Sequence, residues 1–123
     1  MSKRHKWGAK PTVVDGTRFD SKREAAVYVE LRTLHRAGKI KRLTLQPAFL
    51  LQPAFEKNGR LVREIDYVAD FMVEWAEGSI QRSASKDPTK SLVDVKGKPT
   101  DVYLLKKKLF HFKYPEWTIE EWK

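Results

Sequence analysis

Ser91-Leu92-Val93-Asp94-Val95-Lys96-Gly97 is an apolar run that holds an acid and a lysine two residues apart and stops on a glycine. Apolar and β-branched residues closed by glycine read as a strand. Residues i and i+2 of a strand point to one side, so Asp94 and Lys96 share a face. Upstream, Ile65-Asp66-Tyr67-Val68-Ala69-Asp70-Phe71 sets Asp70 inside a second apolar strand. Charged side chains seldom enter such surroundings unless they are paired or bind a metal. Two carboxylates and an ammonium on neighbouring strands suit a divalent cation and a water activated for phosphodiester cleavage.

Working outward, Ser21 and Glu24 are spaced as a capping box for a helix from Ser21 to Ala37, which Gly38 ends. Val27, Tyr28, Leu31 and Leu34 form its apolar stripe. Two long strands follow, 41–56 and 60–75, joined by Lys57-Asn58-Gly59, a strong hairpin signal. In the second strand, positions 64, 66, 68, 70 and 72 share one face, and Tyr67, Ala69, Phe71 and Val73 line the other. In the first, Leu45-Gln46-Pro47-Ala48-Phe49 recurs as Leu51-Gln52-Pro53-Ala54-Phe55. Two prolines in one strand argue for an edge or a bulge. The polar stretch 77–90 reads as a loop before the strand Leu92–Val95. Thr100 caps a second helix to His111, whose expected apolar face is Val102, Leu105, Leu109 and Phe112. A turn and a last strand end the chain. The order predicts an α/β fold, with a mixed, mostly antiparallel sheet packed against helices.

The 123 residues suffice for one core, predicted over 18–123, behind a basic flexible N-terminal arm over 1–17. With no cysteine, neither disulfides nor thiolate zinc sites can form. No apolar run reaches membrane-span length and the basic start lacks a signal-peptide core, so a soluble, cytoplasmic protein is expected. Net charge is +9, and residues 1–43 carry 12 of the 25 basic residues but 4 of the 16 acids. A polyanion such as DNA is the natural partner of that excess.

Acid-x-Lys occurs three times, at Asp20-Ser21-Lys22, Asp94-Val95-Lys96 and Glu121-Trp122-Lys123. The first lies at a helix start, and the third is expected to fray at the C-terminus. Only the second sits in an apolar strand. Glu24 caps the helix, yet it also begins the buried stripe, from which it could reach a metal on the sheet. The expected set is therefore Asp70 and Asp94 as principal metal ligands and Glu24 as a direct or water-mediated one. Asp66 shares the face of Asp70 and is a weaker candidate. Lys96 is expected to orient or deprotonate the attacking water, or to stabilise the pentavalent phosphate. His5, His35 and His111 show no metal-binding pairing.

These segments resemble the PD-(D/E)XK nuclease superfamily, and more narrowly the small phage-encoded endonucleases related to Holliday-junction resolvases and the transposon end-cleaving subunit TnsA. The resemblance runs through Phe19 to Ala26 with Glu24, Leu45-Gln46-Pro47, Ile65 to Phe71 with Asp70, and Asp94-Val95-Lys96-Gly97. The lysine-rich helix after Lys98-Pro99-Thr100 also fits. Ala69 stands where the superfamily has proline, and Asp94 where glutamate is commoner. The resemblance implies a restriction-endonuclease-like αβββαβ core, dependence on Mg²⁺ or Mn²⁺, and a homodimer able to cut four-way junctions in phage recombination or DNA processing. The alternatives are a nicking or double-strand endonuclease with sequence preference, and a DNA-binding module without catalysis. Lys22, Arg23, Arg32, Arg36, Lys98, Lys106, Lys107 and Lys108 are the expected DNA contacts, which carry affinity more than specificity.

Overall fold

Asp15-Gly16 and Asn58-Gly59 have positive φ at both residues, 52° and 76° in each pair. That is the type I′ geometry that two-residue hairpins favour. The computed structural model describes residues 11–79 and 83–123. Around the first turn, β1 (Thr12–Val14) pairs antiparallel with β2 (Thr17–Phe19). This corrects the expected open arm from Thr12 onward, because Asp-Gly between β-prone triplets is itself a hairpin signal. Asp15 accepts hydrogen bonds from Tyr28 Oη (2.9 Å) and Arg32 Nη1 (2.8 Å), fastening the hairpin to the first helix. Residues 1–10 of the expected arm, with His5, lie outside the described residues.

Helix α1 (Lys22–Arg36) starts as its sequence requires, with Ser21 extended and its Oγ accepting the Glu24 N–H at 3.1 Å. It ends where Gly38 takes φ 80° and the Gly38 and Lys39 N–H groups donate to the His35 and Leu34 carbonyls. Val27 and Leu31 are buried, whereas Leu34 is exposed.

The central sheet has the order β10-β9-β8-β3, from β3 (Ile40–Leu45), β8 (Phe71–Trp75), β9 (Lys90–Val95) and β10 (Ile119–Trp122). The β3–β8 and β8–β9 pairs are antiparallel, while β9 and β10 are parallel and joined through α2 (Asp101–Lys113). The sheet is mixed and flanked by helices, as expected. One core gathers Phe19, Val27, Leu31, Phe71, Val73 and Val93 on the α1 side. The other gathers Tyr67, Ala69, Leu92, Tyr103, Phe110 and Ile119 on the α2 side.

The two expected long strands are each broken twice. Between β3 and the tip lie β4 (Ala48–Gln52), paired with β7 (Ile65–Val68), and β5 (Phe55–Lys57), paired with β6 (Arg60–Val62). Pro47 and Pro53 stand in the gaps before β4 and β5, because proline brings no N–H to a ladder. Each Leu-Gln-Pro copy therefore marks a bend. The first bend leans β4 onto α2: the Phe49 ring lies 5.0 Å edge-on from Phe110, and Tyr114 Oη donates to the Leu50 carbonyl at 2.8 Å.

The expected alternation of faces also slips. Tyr67 and Ala69 pack in the α2-side core, but Phe71 and Val73 pack in the α1-side core. The extra residue is Asp70, whose N–H donates to the Val93 carbonyl although Phe71 is the registered partner of Val93. Two residues opposing one is a β-bulge.

Helix α2 turns a different side inward from the one expected. Tyr103 and Phe110, seven residues apart, are buried, while Val102, Leu105, Leu109 and Phe112 are exposed, Phe112 by 87%. The larger aromatic pair is the one that packs against Tyr67 and Phe49. The expected last strand is β10, which runs on through Glu121 and Trp122, two residues expected to fray. Among the described residues no helix is long and apolar enough to cross a membrane.

Candidate active site

Asp94, near the end of β9, is 3% exposed. The Tyr67 hydroxyl donates to its Oδ2 at 2.5 Å, and Lys96 Nζ lies 3.0 Å from Oδ1. The i/i+2 spacing along β9 places acid and lysine on one face, as the sequence indicates. Tyr67 arrives from β7, and only because the bend at Pro47 carries that segment over α2. The Lys96 ammonium also stands 4.1 Å from the centroid of the Tyr103 ring, a cation–π contact. Its side chain keeps a quarter of its surface open to solvent.

Asp70 is delivered by the bulge. Its Oδ2 accepts the Val95 N–H at 2.7 Å, a donor that a regular ladder would have turned to a backbone carbonyl. The carboxylate is thus seated against the residue between Asp94 and Lys96. Burial pushes the Tyr67 hydroxyl far above its ordinary pKa, and the charge and hydrogen bond of Asp94 add to this, with Asp70 contributing. The Tyr103 hydroxyl is raised by burial first, then by its bond to Glu121 and the charges of Asp94, Glu121 and Asp70. Both phenols therefore remain protonated donors, and both feel the two aspartates.

Four members of this cluster had no assigned role in it from sequence: Tyr67, Tyr103, Glu121 and, as a structural partner, Lys107. Glu121 is the registered neighbour of Asp94 on β10. Its Oε2 accepts from Tyr103 Oη (2.6 Å) and Lys107 Nζ (2.9 Å). Those two bonds hold its carboxyl below the usual glutamate range. The available signal was the tripeptide Glu121-Trp122-Lys123, spelled like Asp94-Val95-Lys96.

Glu24 is buried on α1. Asp94 shares its face with Leu92 and Tyr67 on the α2 side. Among the described residues no group of three or more His, Cys, Asp or Glu side chains is placed to hold a metal ion. Asp70 and Asp94 come together, and Glu24 does not complete a triad with them. Asp66, half-buried on β7, pairs in register with Leu50.

Of the expected DNA contacts, Lys22, Arg23, Arg36, Lys98 and Lys108 are exposed and Lys106 is half-buried. Arg32 and Lys107 are held in ion pairs, with Asp15 at 2.8 Å and Glu121 at 2.9 Å.

The family described as "Protein of unknown function (DUF1064)" matches residues 4–123, and the chain belongs to it. No curated protein and no solved structure matches the chain.

Proposed function

We propose that this DUF1064 protein is a metal-dependent DNA endonuclease built on a restriction-endonuclease-like core. The observation that carries the reading is the Asp94–Lys96 pair at 3.0 Å, buried at its acidic end and adjoined by Asp70 from the bulge just before β8. The order α1-β3-β8-β9-α2-β10, with β10 parallel to β9, supports the αβββαβ core.

Asp70, just before β8, and Asp94, on β9, are hard oxygen donors, which suits Mg²⁺ or Mn²⁺, and these two residues would hold it. Once bound, the cation supplies charge neutralisation and a more acidic water. The chain's own groups do the rest. Tyr67 and Lys96 fix the Asp94 carboxylate before substrate arrives, so little reorganisation remains at the moment of reaction. Lys96, partly open to solvent, offers positive charge where the phosphate oxygens gain negative charge. There the water oxygen bonds to phosphorus, the P–O bond breaks, and the leaving oxygen takes a proton. Glu24 has an indirect role, through water or through the start of α1. Lys22, Arg23, Arg36, Lys98, Lys106 and Lys108 bind the backbone. Branched DNA in phage recombination, cut by a homodimer in the cytoplasm, is the favoured setting.

A second reading, a DNA-binding module without catalysis, is favoured by one observation: both Asp94 oxygens already have partners within the protein. The test is cleavage of a labelled four-way junction and its matched linear duplex, in Mg²⁺ and in EDTA, by wild type and Asp94→Asn. Metal-dependent cutting that Asp94→Asn loses is expected, with paired cuts at the junction. Cutting of both DNAs keeps the nuclease and discards junction specificity. Binding without cutting in Mg²⁺ or Mn²⁺ overturns the nuclease in favour of the module.

A further inference from the structure

The chain from Gln52 to Ile65 is exposed at every residue. Within it β5 and β6 pair with each other and belong to neither core. A lone two-stranded ribbon gains little stability from its own contacts. Its register sets Phe55 opposite Val62 and Lys57 opposite Arg60, all four on one face. Like charges directly across a strand pair repel. Among the described residues no ion pair relieves Lys57 or Arg60. Arg63, just beyond β6, adds a third exposed cation.

We propose that the β5–β6 ribbon is a duplex-binding arm, with Lys57 and Arg60 gripping phosphates and the Phe55–Val62 pair lying against sugar or base edges. The assignment rests on the DNA substrate of the proposed function but concerns binding, not cleavage. An anion removes the Lys57–Arg60 repulsion. A two-stranded ribbon is also narrow enough for the DNA major groove. The chain's charge of +9 favours the same polyanion over an acidic protein. The arm is also tied to the site, since the hairpin that carries it supplies Tyr67 to Asp94 on the way.

The experiment is anisotropy of a short labelled duplex in EDTA, at several NaCl concentrations, with wild type and the double variant Lys57→Gln/Arg60→Gln. Both positions are exposed, and circular dichroism checks that the fold is kept. The variant is expected to bind roughly tenfold or more weakly at low salt, with the slope of log K against log salt shallower by about 2. An unchanged affinity and slope overturns the arm and leaves the nuclease reading standing. Ribbon-dependent binding with no cleavage in Mg²⁺ does the reverse. A wild type that binds no duplex overturns both. Sedimentation of wild type as a dimer that Phe55→Ser makes monomeric assigns the ribbon to a second copy of the chain and overturns the arm as well.

Discussion

Asp94-Val95-Lys96 and Glu121-Trp122-Lys123 are spelled alike and lie side by side in parallel register, yet they sit in different media. Asp94 is buried and takes a phenol and an ammonium, one on each oxygen. Glu121 is exposed and takes its phenol and ammonium on a single oxygen. Lys96 folds back onto its own acid, whereas Glu121 is served by Lys107 from α2. A tripeptide therefore does not define a site. Burial by the strands and helix around it does, because it is the low-dielectric, preorganised setting that makes a charge useful.

The largest break in this comparison is expected in activity. Asp94→Asn should lower Mg²⁺-dependent cleavage of labelled DNA by about 10³-fold, the scale of losing a preorganised charge, and Glu121→Gln by less than about tenfold. Equal losses at the two acids would show that burial does not distinguish them. Next is stability. Tyr67→Phe strips a buried carboxylate of one donor and should cost about 2 kcal/mol in urea unfolding. Glu121→Gln loosens a partly exposed pair and should cost no more than about 1 kcal/mol. A Tyr67→Phe protein as stable as wild type would remove the hydroxyl from the account of Asp94.

The smallest effect concerns the anchor of β10. His111 Nε2 accepts the Ile119 N–H at 3.0 Å, which requires a neutral ring. Burial, aided by Lys107, lowers its pKa from the ordinary 6.5. The unfolded chain therefore binds a proton more readily than the native one in that range, and stability rises with pH. The contribution should be complete above pH 6.5 and lost as pH falls through the lower native midpoint. Urea melts at neutral and mildly acidic pH, for wild type and His111→Gln, check this. A wild type that loses no more stability than the variant on acidification would refute it.

Much of this molecule was legible because local chemistry dictates it. Ser21 and Gly38 bound α1, Asn58-Gly59 makes its turn, and Asp94 and Lys96 share a face by strand periodicity alone. Asp15-Gly16 carried the same signal as Asn58-Gly59 and was outweighed by the polar, basic composition around it. Other features had no local trace. The inward side of α2 depended on what stood beneath it: Tyr67 and Phe49 accept the aromatic pair Tyr103 and Phe110, and the expected stripe of Val102, Leu105, Leu109 and Phe112 stays outside. The strand that looked continuous from Arg60 to Trp75 carries a bulge at Asp70, which periodicity counted across it reads as the wrong face.

The sequence by itself determined the α/β order of elements, the single hairpin linking two apolar runs, the basic balance, and the pairing of Asp94 with Lys96. The charge balance is composition, and the others follow from i, i+2 and i, i+4 geometry and from turn residues, which act within a few positions. Tertiary structure decided the rest. It brought Tyr67 to Asp94 by bending the hairpin at Pro47 and set the Asp70 carboxylate on the Val95 N–H at the end of β9. It also laid Glu121 beside Asp94. These are contacts between residues far apart in the chain, fixed by packing against two cores and invisible to any local pattern.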